Sequence, residues 1–214
     1  TTQTSGAGGA VSITAGGALA LGNINTSGTT SGVGGDVTLV TTAGGITTAN
    51  GTTINTSGAG GNNNAGTVIL RSNNTAVGLS GAITASGAGT GTGTVSLGTG
   101  TGANSVGAVS QPAGAITGAT TLNVNSDGGG VSLNRSTNDV VNLGTVVTTG
   151  GAFTYVDTNG VDESAGSINT TQTSGAGGAV SITAGGALAL GNINTSGTTS
   201  GAGGDVTLVT TASR

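Results

Sequence analysis

The chain has 214 residues, of which 47 are Gly, 42 Thr and 21 Ser, and it contains no Cys, His, Lys, Met or Trp. That inventory excludes a Ser-His-Asp triad, a thiol nucleophile, a Schiff-base or Walker lysine and an ordinary zinc site. Three Arg (Arg71, Arg135, Arg214) against seven acids give a net charge of −4, which leaves no basic cluster to hold nucleic acid or an anionic membrane.

Gly, Pro and Ser together make up about a third of the chain, a proportion that belongs to low-complexity chains. Disordered chains, however, carry high charge and many Pro, whereas only 5% of these residues are charged and Pro112 is the sole Pro. The large apolar residues are ordered rather than scattered, so the chain is expected to fold. No stretch approaches about 18 consecutive apolar residues, so no membrane-spanning helix is expected. No basic segment followed by an apolar one opens the sequence, so no signal peptide is expected in it.

In chain order, the first predicted strand is Val-x-Ile at Val11 and Ile13, followed by an apolar pair, Leu19 and Leu21, and then by Ile24. The Val-x-[Ile/Leu] phrase returns at Val37, Val68, Val95, Leu122, Phe153, Val180 and Val206, with spacings of 26, 31, 27, 27, 31, 27 and 26. Its partner two residues on is Ile13, Leu39, Leu70, Leu97, Val124, Tyr155, Ile182 or Leu208. Alternation of period two in short runs predicts strands with one buried face. The second apolar point recurs at Val77/Leu79, Val131/Leu133 and Leu188/Leu190, and the third at Ile54, Ile83, Ile116, Val146, Ile168 and Ile193. Gly-Gly and Ser-Gly pieces between them supply turning points.

A longer period overlies the short one. Residues 1–43 return as residues 170–212 at an offset of 169, identical at every position except Val33 against Ala202. The organisation predicted is one six-coil unit over 1–169 and the start of its next copy over 170–214, without a domain boundary between them. The fold class predicted is all-β: a parallel β-helix, or β-solenoid, with about 28 residues and three short strands per coil.

Few residues offer chemistry. Asn25, Asn55, Asn169 and Asn194 share one sub-repeat position and are expected to form an internal amide ladder at a corner. The stretch 31–39, SGVGGDVTL, approximates a calcium-binding nonapeptide, but Asp36 recurs only at Asp205, so stacked calcium sites are not expected. Thr-x-Thr at Thr2-Gln3-Thr4, at Thr171-Gln172-Thr173 and within 90–101 forms no continuous row, which argues against an ice-binding face. The acids Asp127, Asp139, Asp157, Asp162 and Glu163 with Arg135 make the one charged neighbourhood; one-coil offsets would stack Asp127 on Asp157 and Arg135 on Glu163 as an exposed ion pair. No catalytic, cofactor-binding or metal-binding residue is assigned.

The phrases GGAVSITAGGALALGNINTSG and GGDVTLVTTAGGITTANGTTINTSG resemble the repetitive shafts of large secreted bacterial adhesins of the filamentous haemagglutinin and autotransporter type. The resemblance implies a right-handed β-helix, export, and an extracellular or cell-surface location. The function expected is a non-enzymatic structural segment of a rigid fibre, surface filament or biofilm matrix, self-associating end to end. The alternative is the passive stalk of an adhesin whose binding tip lies elsewhere, meeting cell surfaces or matrix glycans; a β-helix polysaccharide enzyme stands a distant third.

Overall fold

The computed structural model describes residues 6–172 and 174–211. Thr2-Gln3-Thr4, Thr173 and Arg214 therefore lie outside the described residues, as do the outermost positions of both repeat copies. Among the described residues, twenty-one strands and one short 3₁₀ turn, Gly102–Asn104, make up the regular structure. β-Branched Thr, Val and Ile in alternating runs, cut by Gly, favour strands and oppose helices.

The strands form two sheets, of thirteen and eight strands, in which every strand pair in register is parallel. They share one apolar interior that runs from Leu21 to Ala184 and is filled by inward Val, Ile, Leu, Phe153 and Tyr155. Period-two alternation does the sorting: Val37–Thr41 buries Val37, Leu39 and Thr41 and turns Thr38 and Val40 outward. Along the thirteen-stranded sheet Val11 pairs with Val37, Val37 with Val68, Val68 with Val95 and Val95 with Leu122.

Beyond Leu122 the expected column fails. Leu122 pairs with Leu143, whereas Phe153 pairs with Val131 and belongs to the eight-stranded sheet. The cause is a run of shortened turns. In the first half, register partners stand as far apart in the chain as Val11 and Val37 or Ile83 and Ile116. In the stretch between Leu122 and Ile168 they stand only as far apart as Val131 and Phe153 or Asn142 and Asp162, and the wider spacing returns at Phe153 and Val180. The shortening is built by two long strands, Ile116–Ser126 and Asp139–Thr148, which run through a corner that a Gly-rich loop fills in earlier turns. A register shift between Thr117 and Ala119 lets them bend there. At this point Gly118 has φ +69, and a Cβ on it would come within 2.6 Å of the Ser86 Cβ.

The consequence reaches the long sequence repeat. Successive pairings in the eight-stranded sheet carry Leu19 through Ile46, Val77, Val109, Val131 and Phe153 to Val180, and so arrive short of Leu188, the copy of Leu19. Val11–Ala15 therefore lies in the thirteen-stranded sheet and its sequence copy Val180–Ala184 in the eight-stranded one. The sequence repeats; its placement does not.

These findings correct the sequence reading. The chain does not build a uniform parallel β-helix or β-solenoid with three short strands in every coil. Its strands range from the short Ile24–Asn25 to the long Ile116–Ser126, and its turns are unequal. The third strands join the thirteen-stranded sheet instead of forming a face of their own. The resemblance to adhesin shafts stops at the style of the repeat, because a shaft needs successive units placed alike and these copies lie in different sheets. A rigid fibre, filament or adhesin stalk, and end-to-end self-association, all presumed an elongated stack of equivalent coils. The described residues form one two-sheet body whose repeat copies lie in different sheets, and those expectations fall with the solenoid.

Candidate functional site

The corners hold the first set of working polar groups. Where the chain turns out of a sheet, an inward hydroxyl donates to the carbonyl that starts the next strand. Thr26 Oγ1 donates to Gly35 O at 2.7 Å, Thr56 to Gly66 at 2.8 Å, Ser126 to Gly129 at 2.8 Å and Thr170 to Gly178 at 2.6 Å. All four side chains are buried. Each closes a corner by satisfying a carbonyl that no strand partner reaches.

The Asn positions behave otherwise than an internal ladder. Asn25 pairs with Asn55 and Asn169 with Asn194 in register. Their side chains nevertheless sit on the outer surface, and each amide oxygen accepts the backbone N–H two residues on, from Ser27, Ser57, Thr171 and Ser196 at 3.0–3.1 Å. These are Asx turns that start the corner whose following Thr hydroxyl closes it.

The buried polar cluster of the molecule lies at another corner, between Leu133 and Asp139. Asn138, fully buried, accepts hydrogen bonds on Oδ1 from Gln111 Nε2 at 2.7 Å and from the Ile116 amide at 2.9 Å. Its Nδ2 donates to Gln111 Oε1, Leu133 O and Val156 O at 3.1–3.2 Å. Beside it the Tyr155 hydroxyl donates to Asp157 Oδ2 at 2.5 Å; the same oxygen accepts from the Val140 amide at 3.0 Å, and Oδ1 accepts from the Asn159 amide at 2.8 Å. Burial pushes the Asp157 carboxyl above its ordinary value, outweighing these hydrogen bonds, with Asp139 adding a smaller push in the same direction. Burial, then the Asp157 charge, drive the Tyr155 phenol far upward, so it stays a donor at any working pH.

Glu163 is the second buried acid. It follows Val161–Asp162, which pairs with Leu188–Ala189, and its side chain has no exposed surface. Oε2 accepts from the Gly191 amide at 2.7 Å, while Oε1 is buried without a hydrogen-bond partner among the described residues. Burial raises its pKa, and neighbouring Asp162 adds to the rise. Asp162 itself is exposed and held low by hydrogen bonds from the Ser164 hydroxyl and amide.

The expected charged pairs do not form. Asp127 accepts from the Gly102 amide at 3.1 Å and does not stack on Asp157, whose strand partner is Ala184. Arg135 reaches Pro112 O at 3.5 Å, while Glu163 is occupied with Gly191. Asp127, Asp157 and Arg135 thus each bond to separate backbone partners. Asp36 accepts from the Thr67 amide at 2.7 Å, a structural bond between neighbouring turns. Among the described residues no group of three acids is placed to hold a metal ion, and no helix is long and apolar enough to cross a membrane.

Gln111, Asn138 and the Tyr155–Asp157 pair escaped sequence reasoning as a unit. Their signal was present but faint: Tyr155 and Asp157 share the inward parity of Phe153, which places a carboxylate where alternation calls for an apolar side chain. No protein-family model, curated protein or solved structure matches the chain.

Proposed function

We propose that this chain is a non-catalytic scaffold domain that serves outside the cell. The observation that carries the reading is the use made of its polar groups. The buried hydroxyls of Thr26, Thr56, Ser126 and Thr170, the amides of Gln111 and Asn138 and the Asp157 carboxylate are all bonded to backbone or to each other. Groups tied in this way hold corners and are not free to bind or transform a substrate. A chain without Cys, stabilised by parallel ladders and sparing in Lys and Arg, suits a setting exposed to oxidants and trypsin-like proteases.

The test is fractionation of the cells that make it, followed by trypsin treatment of intact cells. Recovery from the medium or the outer surface, with the folded chain surviving a trypsin exposure that cuts its heat-unfolded form, is the expected result. Recovery only from cytosol, or rapid cleavage of the folded chain at Arg71 and Arg135, would overturn it.

A further inference from the structure

The chain contains two Asn-Gly pairs, Asn50-Gly51 and Asn159-Gly160, and the structure treats them differently. Asn50 and Gly51 are both exposed and form the central pair of a β-turn closed by the Thr52 amide on Ala49 O at 3.2 Å. Gly51 has φ +75, a conformation that favours Gly. The Thr52 hydroxyl also binds Ala49 O, at 2.6 Å, so the turn is fixed at its ends while its tip extends into solvent. Neither the Asn50 amide group nor the Gly51 N–H takes part in any hydrogen bond of the described residues. Asn159 is held at three points: its N–H donates to Asp157 Oδ1 at 2.8 Å, its Nδ2 to Asp139 Oδ1 at 3.1 Å, and its carbonyl accepts from Gly186 at 2.9 Å.

We infer that Asn50 is a site of spontaneous backbone modification, and that Asn159 is protected from the same reaction by the Asp157–Asp139 clamp. The Gly51 amide nitrogen gives its proton to solvent base and attacks Asn50 Cγ. The new N–Cγ bond closes a five-membered succinimide, the Cγ–Nδ2 bond breaks, and the amide nitrogen leaves as ammonia. Water then opens the ring at either carbonyl, giving aspartate or, with the chain rerouted through the side chain, isoaspartate. The reaction needs a side chain free to rotate onto the next nitrogen, and a following residue without a Cβ to obstruct it. Both pairs meet the second condition and Asn50 alone meets the first. Its product places a negative charge on a turn lined by neutral Thr52, Thr53 and Ser80.

The experiment incubates the full chain at mildly alkaline pH, folded and in denaturant, and maps deamidation by mass spectrometry of tryptic fragments. Cleavage at Arg71 and Arg135 separates the two pairs into different fragments. In denaturant the pairs should convert at similar rates. In the folded chain Asn50 should convert several-fold faster than Asn159, and Asp139→Ala should bring Asn159 towards the rate of Asn50. Equal or slower conversion of Asn50 in the folded chain would overturn the assignment, and so would an Asn159 rate unmoved in folded Asp139→Ala, confirmed as folded by circular dichroism.

Discussion

Residues 6–41 and 175–210 carry one sequence with a single difference, Val33 against Ala202, and they fold alike while sitting in different places. Locally they are the same object. Gly6 bridges Thr29 as Gly175 bridges Thr198, Thr30 and Thr199 both take positive φ (59 and 66), and Thr26 closes its corner on Gly35 as Thr195 does on Gly204. Globally they differ by one face. Val11–Ala15 lies in the thirteen-stranded sheet and Val180–Ala184 in the eight-stranded one. The corner that leads from Ile24–Asn25 to Val37–Thr41 within one sheet becomes, in the second copy, the corner that passes from Asn192–Asn194 to Val206–Thr210 in the other. Sequence therefore sets the shape of strand and corner, and the lengths of the intervening turns set which sheet each joins.

The largest effect that separates the copies comes from covering. Leu39 is fully buried between its partners Ile13 and Leu70, whereas among the described residues its copy Leu208 pairs with Ile182 alone and is 43% exposed. Leu39→Ala should cost about 2–5 kcal/mol in chemical denaturation, and Leu208→Ala less than about 1 kcal/mol. Equal costs would mean that Leu208 is covered as Leu39 is.

Next comes the bend that displaces the copies. Gly118→Val would place a β-branched side chain at φ +69 against Ser86, with an expected loss of about 1–3 kcal/mol. Gly102, also at positive φ (+59) but with open space around it, should tolerate Ala with a smaller loss. Thermal melting of both variants checks the order.

Corner hydroxyls should show a graded difference. Thr26→Val removes a buried donor and strands Gly35 O, at a cost of about 1–3 kcal/mol. Thr195→Val, at the half-buried corner of the second copy, should cost less in the same denaturation assay.

The smallest expected effect is a pH slope. Folding raises the carboxyl pKa values of Asp157 and Glu163, chiefly by burial, so the folded chain binds these protons more tightly than the unfolded one. Their contribution is fully present below the ordinary carboxylate range and is lost as pH rises through their elevated values. Stability should therefore decline from mildly acidic towards neutral pH, and Glu163→Gln should flatten part of that decline. Stability rising over the same interval would contradict it.

Strand positions and their buried faces were legible because alternation survives any change in turn length. The strands at Val37, Val68 and Val95 and the inward direction of Phe153 and Tyr155 follow from period two alone. The slip after Leu122 was not legible. Apolar spacing reports where strands start and not which earlier strand each pairs with, and the step from Leu122 to Phe153 looked like one more turn. In the structure that interval contains Val131 and Leu143, strand positions in both sheets, and so exceeds a single turn. The buried cluster was hidden for another reason: Gln111 and Asn138 fall outside the recurring apolar phrases, so no repeat position marks them as partners.

The displacement of the two copies rests on the pairing of Phe153–Asp157 with Val131–Leu133. The chain has no Cys, so engineered pairs report without background. Oxidation of Ser132→Cys/Thr154→Cys should form a disulfide readily, since these half-buried, outward-facing residues are register partners on adjacent parallel strands about 4.8 Å apart. Asn123→Cys/Thr154→Cys should not, because Asn123 lies in the other sheet. Cross-linking of the Asn123 pair with failure of the Ser132 pair would contradict the account, returning Leu122 and Phe153 to one column and both copies to the same sheet.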